Sequence, residues 1–197
     1  MRRHARFVIL LSALVLPWQA RAQEPAVFGK ADPPHGFVRF CDEIPTECVP
    51  DNKGVQKLQW TKARYQQLVD VNNKVNRSVD PVTDLDNYGV NEYWTLPANG
   101  RGDCEDYVLQ KRHDLIKKGW PVSSLLITVV RDEKGDGHAV LLASTTKADY
   151  VLDVKDPDVK VWLKTPYQYV MRQSTGDPTV WVSLVPSVVV GSAPASR

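Results

Sequence analysis

The sequence predicts an α+β fold in which N-terminal helices pack on an antiparallel sheet, and three observations predict it. Two segments, near residues 61–76 and 104–118, repeat apolar residues with the helical period. Three later apolar runs, starting at Leu125, His138 and Tyr150, are short and separated by polar turns, as strands are. The turns between those runs are brief, so the three are expected to lie as antiparallel neighbours in meander order. With 197 residues, 43% of them hydrophobic, the chain is large enough for one sizeable core and does not require a second domain.

The ends are expected to lie outside that core. Residues 1–22 place Arg2, Arg3, Arg6 and Arg21, and no acid, around an apolar run at 7–18 that is too short to span a bilayer. Ala20-Arg21-Ala22 follows as a small-x-small cleavage site, so 1–22 reads as a secretory signal peptide and 23–185 as the folded domain. Residues 186–197, dominated by Ser, Ala, Pro, Gly and Val, read as a disordered tail. The expected location is periplasmic or secreted, with no stable membrane insertion after cleavage. The whole chain carries 25 basic and 23 acidic residues, and loss of the leader's arginines turns the mature protein slightly acidic. That leaves no basic field for nucleic acid or anionic lipid.

Taken in order, residues 23–57 carry Asp32-Pro33-Pro34-His35-Gly36 and Val49-Pro50-Asp51-Asn52-Lys53-Gly54. They are expected to wrap irregularly, with at most a short strand near 37–40. Thr61 is placed to cap a helix running to about Asn76, whose Tyr65, Leu68, Val69 and Val75 fall near one stripe. Residues 80–94, polar and aromatic, read as a loop. Asp103 is placed to cap the next helix, with Asp106 in the capping-box position. Val108, Leu109, Leu115 and Ile116 give that helix a buried stripe, and Lys117-Lys118-Gly119 a basic last turn and a terminating glycine. Strands are expected at 125–130, 138–142 and 150–154, a short piece at 159–163, and a last strand at 179–185 containing Trp181.

Cysteine usage narrows the chemistry. Cys41 and Cys48 stand seven apart around Ile44-Pro45, a spacing that suits a short loop closed by a disulfide. Cys104 is left over, and a free thiol in an oxidising compartment is a liability unless buried or used. It follows Gly100-Arg101-Gly102-Asp103 at a helix start, where unpaired backbone N–H groups favour a thiolate. Asp103, Glu105 and Asp106 act in the opposite sense, so the site requires a positive charge among them, either a bound cation or an imidazolium. Of the histidines beyond the leader, His35 lies in a Pro/Gly-rich segment and His113 is about 13 Å along the same helix. His138 opens a strand after a turn, where a side chain can reach a helix end packed on the sheet. Asp153, on the next strand, falls near the same end and can orient the ring. Cysteine catalysis needs these three roles: nucleophile, base and orienter.

Gly102-Asp103-Cys104-Glu105-Asp106-Tyr107, with Tyr88-Gly89 and Tyr93-Trp94 upstream and Gly137-His138-Ala139-Val140-Leu141 and Leu152-Asp153 downstream, resembles the bacterial transglutaminase-like cysteine peptidases, the LapG-like periplasmic proteases. The resemblance covers about residues 36–185. It implies a papain-like/transglutaminase-like core with Cys104 as nucleophile, His138 as base and then acid, and Asp153 as orienter. It also implies calcium held by Asp103, Glu105 and Asp106, with carbonyls of the Asn87-Tyr88 loop as further candidates, and oxygen-only ligands suit that hard cation. The implied substrate is a cell-surface or periplasmic protein, such as a surface adhesin, and some relatives are sequestered by a regulatory membrane receptor. Val154 stands where relatives commonly carry a polar residue after the strand acid. The expected reaction is peptide hydrolysis through a thioester, with the Cys104 N–H as oxyanion donor and Tyr93 and Trp94 walling the cleft. Two alternatives stay open: capture of the thioester by an amine, as in a transglutaminase, and a calcium-dependent non-catalytic binding module.

Overall fold

A computed structural model describes residues 24–51 and 54–186; the expected signal peptide at 1–22 and, apart from Pro186, the expected tail lie outside the described residues. The first departure from expectation comes early. Strand β1 (Gly29–Ala31) is followed not by an irregular wrap with a strand near 37–40 but by helix α1 (His35–Glu43). Phe37 and Phe40, three residues apart, share the buried face of that helix, and the Pro33-Pro34 pair marks its start. Gly36 is required there because a Cβ would overlap the Trp94 ring. A disulfide joins Cys41 to Cys48 across 5.7 Å between Cα atoms, closing the turn after α1.

Helix α2 (Lys62–Ser78) begins as expected, the Thr61 side chain accepting a hydrogen bond from the Arg64 N–H at 3.1 Å. It buries Leu68, Val71 and Val75. The 80–94 loop contains more order than expected: strand β2 (Asp80–Pro81) and the short helix α3 (Asp84–Tyr88), capped by Thr83. Strand β3 (Arg101–Gly102) pairs in parallel with β2 and leads directly into helix α4 (Cys104–Lys117). Arg112 of α4 donates to the Glu47 carbonyl oxygen at 2.8 Å, tying the disulfide loop to the helix.

The sheet follows. Strands β4 (Leu125–Arg131), β5 (Gly137–Ser144) and β6 (Asp149–Leu152) form the expected antiparallel meander. Strand β7 (Lys160–Val161) extends it on one side. On the other side β8 (Gln168–Gln173), which the sequence reading did not anticipate, pairs with β4, and β9 (Trp181–Ser183) and β1 follow outward. Among the described residues the sheet has seven strands in the order β1-β9-β8-β4-β5-β6-β7. Strand alternation sorts its side chains. Ile127, Ala139 and Leu141 join the helices and Trp181 in the main core, whereas Leu126, Val140, Leu142 and Tyr169 make a smaller cluster on the other face. The architecture is α+β, helices on a large antiparallel sheet, as the sequence predicts.

Leu141 on β5, an inner strand of the sheet, is fully buried. Leu141→Ala is expected to lower unfolding stability by about 2–5 kcal/mol, read from urea denaturation, because the packed sheet leaves a cavity it cannot close.

Candidate active site

Helix α4 starts where the β2/β3 pair ends, and two glycines arrange the approach. Gly100 takes a left-handed φ of 75°, which glycine adopts without steric cost, and turns the chain into β3. Gly102 lets Asp106 fold back over the chain, since a Cβ there would overlap the Asp106 carboxylate. Cys104 is therefore the first helical residue, with Asp103 in the cap position. Asp103 makes no side-chain cap hydrogen bond among the described residues, so that half of the expected capping box is missing. Asp106 Oδ1 accepts instead from the Thr95 N–H at 2.8 Å, holding the preceding loop against the helix.

The Cys104 thiol donates to Glu105 Oε2 at 3.0 Å. Burial, and after it the Glu105 charge and hydrogen bond, push the thiol pKa far up, with only the Ala139 N–H acting in the opposite sense. The helix start alone does not make a thiolate here; burial, and after it the acids, outweigh it.

The imidazole and its orienter come from the sheet. Pairing of Leu141 with Leu152 carries His138 and Asp153 to the same end of β5 and β6, and His138 Nε2–H donates to Asp153 Oδ1 at 2.8 Å. A carboxylate can only accept, so this bond puts a proton on Nε2, while the hydrogen-bond partner of the Cys104 thiol is Glu105 and not the imidazole. Burial works against the Asp153 charge, but hydrogen bonds from His138 and the Tyr167 hydroxyl overcome it and hold its pKa below the ordinary carboxylate range. Cys104 and His138 line one open cavity of about 330 Å³, walled by Pro81, Val82, Tyr107 and Val154.

Beside this cavity three carboxylates converge. Asp84, Asp103 and Asp106 each offer an oxygen, all within 4.8 Å of one another. Asp84 Oδ2 accepts from the Tyr93 N–H, and Asp106 Oδ1 from Thr95, so each uses one oxygen to pin the loop. Asp84 Oδ1, Asp103 Oδ1 and Asp106 Oδ2 are buried with no hydrogen-bond partner among the described residues. Buried oxygens left unpaired are costly, and a hard cation would satisfy all three at once. Burial pushes the Asp106 pKa up to about 8 and raises that of Asp84.

The arrangement thus joins Asp103 and Asp106 with Asp84, which the sequence reading did not single out. Glu105 is turned toward the Cys104 sulfur, and burial, and after it the neighbouring Asp103, raises its pKa. His113 is occupied by Glu47, and His35 opens α1. Trp94 does not wall the cleft: it is buried against Phe37 and Trp181. Tyr93 stacks on Tyr88, with Arg39 over its ring, away from the cavity lining. Asp84 gave no local signal beyond belonging to an acidic loop; only its burial marks it. Tyr167 lies between the pieces expected at 159–163 and 179–185, in a stretch to which the sequence reading assigned no element.

A thiol at a helix start that shares a cavity with a carboxylate-bound imidazole on an antiparallel sheet fits one class, the papain-like or transglutaminase-like cysteine enzymes. The family model of the bacterial transglutaminase-like cysteine proteinases (BTLCP) matches residues 27–188, and the chain belongs to that family of cysteine peptidases. Its substrate is accordingly a protein. No curated protein matches the chain. Among solved structures, calcium-bound LapG of Legionella pneumophila is similar at 20% identity and a TM-score of 0.53, over 82% of this chain and 83% of that one. The EGTA-treated form of LapG from the same organism matches at 21% identity and 0.51, over 75% and 76%. The fold is shared with these structures. Among the described residues no helix is long and apolar enough to cross a membrane.

The acid cluster sets a pH dependence. Folded Asp106 keeps its proton to about pH 8, whereas an unfolded aspartate loses it near 4. Between those values the folded state binds more protons, so its stability falls as pH rises through that window. Thermal unfolding in chelator, followed by circular dichroism, is expected to give a higher Tm at about pH 5 than at about pH 8.

Proposed function

We propose that the chain is a periplasmic, calcium-dependent cysteine peptidase that hydrolyses a peptide bond of a cell-surface or periplasmic protein through Cys104, His138 and Asp153. The observation that carries this reading is the shared cavity of Cys104 and His138, with His138 Nε2 already bound to Asp153. In the proposed reaction Cys104 Sγ attacks the scissile carbonyl and His138 takes up the thiol proton. The imidazolium then protonates the leaving amine, and water hydrolyses the thioester with His138 as base. Asp153 stabilises the imidazolium and holds the ring. The Cys104 N–H at the helix start is the proposed oxyanion donor.

The cation in this proposal is held by Asp84, Asp103 and Asp106, rather than by the set of Asp103, Glu105 and Asp106 that the resemblance implies. Three orphaned buried oxygens support that choice, and LapG structures exist in calcium-bound and EGTA-treated forms. Bound calcium would offset the negative charge that keeps the thiol protonated. Secretion is supported by the Cys41–Cys48 disulfide, which suits an oxidising compartment, and by the leader-like composition of residues 1–22. A surface adhesin as substrate and a regulatory membrane receptor as partner are part of the same reading, by likeness to the family.

Cys104→Ala is expected to lower turnover by about 10³-fold or more while Tm is kept, measured on secreted and surface proteins from cells expressing either form. Full processing by the variant would refute the nucleophile. Calcium at about a hundredfold above its Kd is expected to stabilise the protein by about 2.7 kcal/mol. Asp84→Asn should weaken calcium binding in calorimetry and reduce that gain. A Tm and activity unmoved by EGTA would remove the metal from the reading.

A further inference from the structure

The Asp153 carboxylate is gripped from three sides. Oδ1 accepts from His138 Nε2 at 2.8 Å and from the Lys155 backbone N–H at 3.0 Å, while Oδ2 accepts from the Tyr167 hydroxyl. The same phenol ring lies edge-on to His138, with centroids 5.7 Å apart and planes at 61°. Tyr167 comes from the segment just before β8 and so touches both the orienter and the base from the far side of the sheet, where its ring packs on the smaller apolar cluster.

We infer that Tyr167 is a positioning residue for the peptidase reaction: its hydroxyl stops the Asp153 carboxylate from rotating, and its ring limits the swing of the His138 imidazole. This rests on the Cys104, His138 and Asp153 reading above. Burial does not force the contact, because Tyr167 is only half-buried and water could satisfy its hydroxyl. Burial, and after it the Asp153 hydrogen bond, push the phenol pKa up, so it remains a donor through the neutral range. The fields of Lys111 on α4 and Lys160 on β7 also reach Asp153, but neither is hydrogen-bonded to it among the described residues. They add charge without direction. A carboxylate with one oxygen unclaimed keeps a torsional freedom that the imidazole would follow, and misplacement of a base by a fraction of an ångström is expensive in rate.

The test uses p-nitrophenyl acetate in calcium buffer, because it needs no knowledge of the protein substrate. Cys104 Sγ adds to the ester carbonyl, the thiol proton passes to His138, and p-nitrophenolate leaves with its bonding electrons. Water then adds to the acetyl thioester, releasing acetate and restoring the thiol. Tyr167→Phe keeps the ring and removes only the donor. It is expected to preserve Tm, KM and a burst of one p-nitrophenolate per chain while lowering the acylation and deacylation rates by about tenfold. In the Asp153→Asn background the same change should cause no further loss, because the tyrosine acts through the carboxylate. Wild-type rates in Tyr167→Phe, or an equal loss in both backgrounds, would overturn the inference. The two levels of failure separate cleanly. If Asp153→Asn is crippled and Tyr167→Phe is not, this inference alone falls; if Asp153→Asn keeps full rates, the orienter reading falls and takes Tyr167 with it.

Discussion

The convergence of buried carboxylates on the start of α4 is the constraint from which the rest of the site follows. Asp84, Asp103 and Asp106 lie within 4.8 Å of one another with an unpaired oxygen apiece, and Glu105 presses on the neighbouring thiol. Negative charges brought together out of water repel one another and hold protons. The helix start contributes only partial positive charge and cannot balance them. The protein's own side chains bring no basic group into that cluster, and an oxygen of each of its three aspartates is left unpaired among the described residues.

The acids also have a mechanical role. Through Asp84 and Asp106 they hold the Tyr93 and Thr95 amides, and so fix the loop that carries Trp94 into the aromatic core with Phe37 and Trp181. Trp181 belongs to β9, next to β8, and β8 is preceded by Tyr167. A path of packed rings and hydrogen bonds thus joins the loop beside Cys104 to β9, one strand in from the edge of the sheet. Gly36 and Gly102 mark the two places where this packing is closest, because a Cβ at either would overlap a side chain of the site or its support.

The sheet performs a different task, which is to bring residues far apart in sequence to one end. Antiparallel pairing of β5 with β6 needs only a short turn, and its register decides that His138 and Asp153 meet. Alternation places the residues of β5 on opposite faces, so helix packing on one face and the Tyr167 cluster on the other both bear on the same strand. Cys104 reaches that strand because α4 packs across it, close enough for the Ala139 N–H to act on the sulfur.

Much of this was written locally in the chain. The helix from Cys104, entered through Asp103 and ended by Lys117-Lys118-Gly119, and the three meander strands could be read from period and turn composition, because those signals act over a few residues. The pairing of His138 with Asp153 was legible too, as a consequence of short antiparallel connections. Helix α1 was missed because its prolines and glycine look like loop punctuation until Phe37 and Phe40 find a core, and β8 because its polar ends, Gln168 and Gln173, hide a strand that β4 recruits. Residue types and spacings alone singled out Cys104, His138 and Asp153 as candidates. Only the tertiary structure decided that Asp84 joins the acid cluster, that Trp94 belongs to the core and that Tyr167 stands behind Asp153. Those choices depend on which groups lose contact with water together, and no stretch of sequence shorter than the whole fold contains that information.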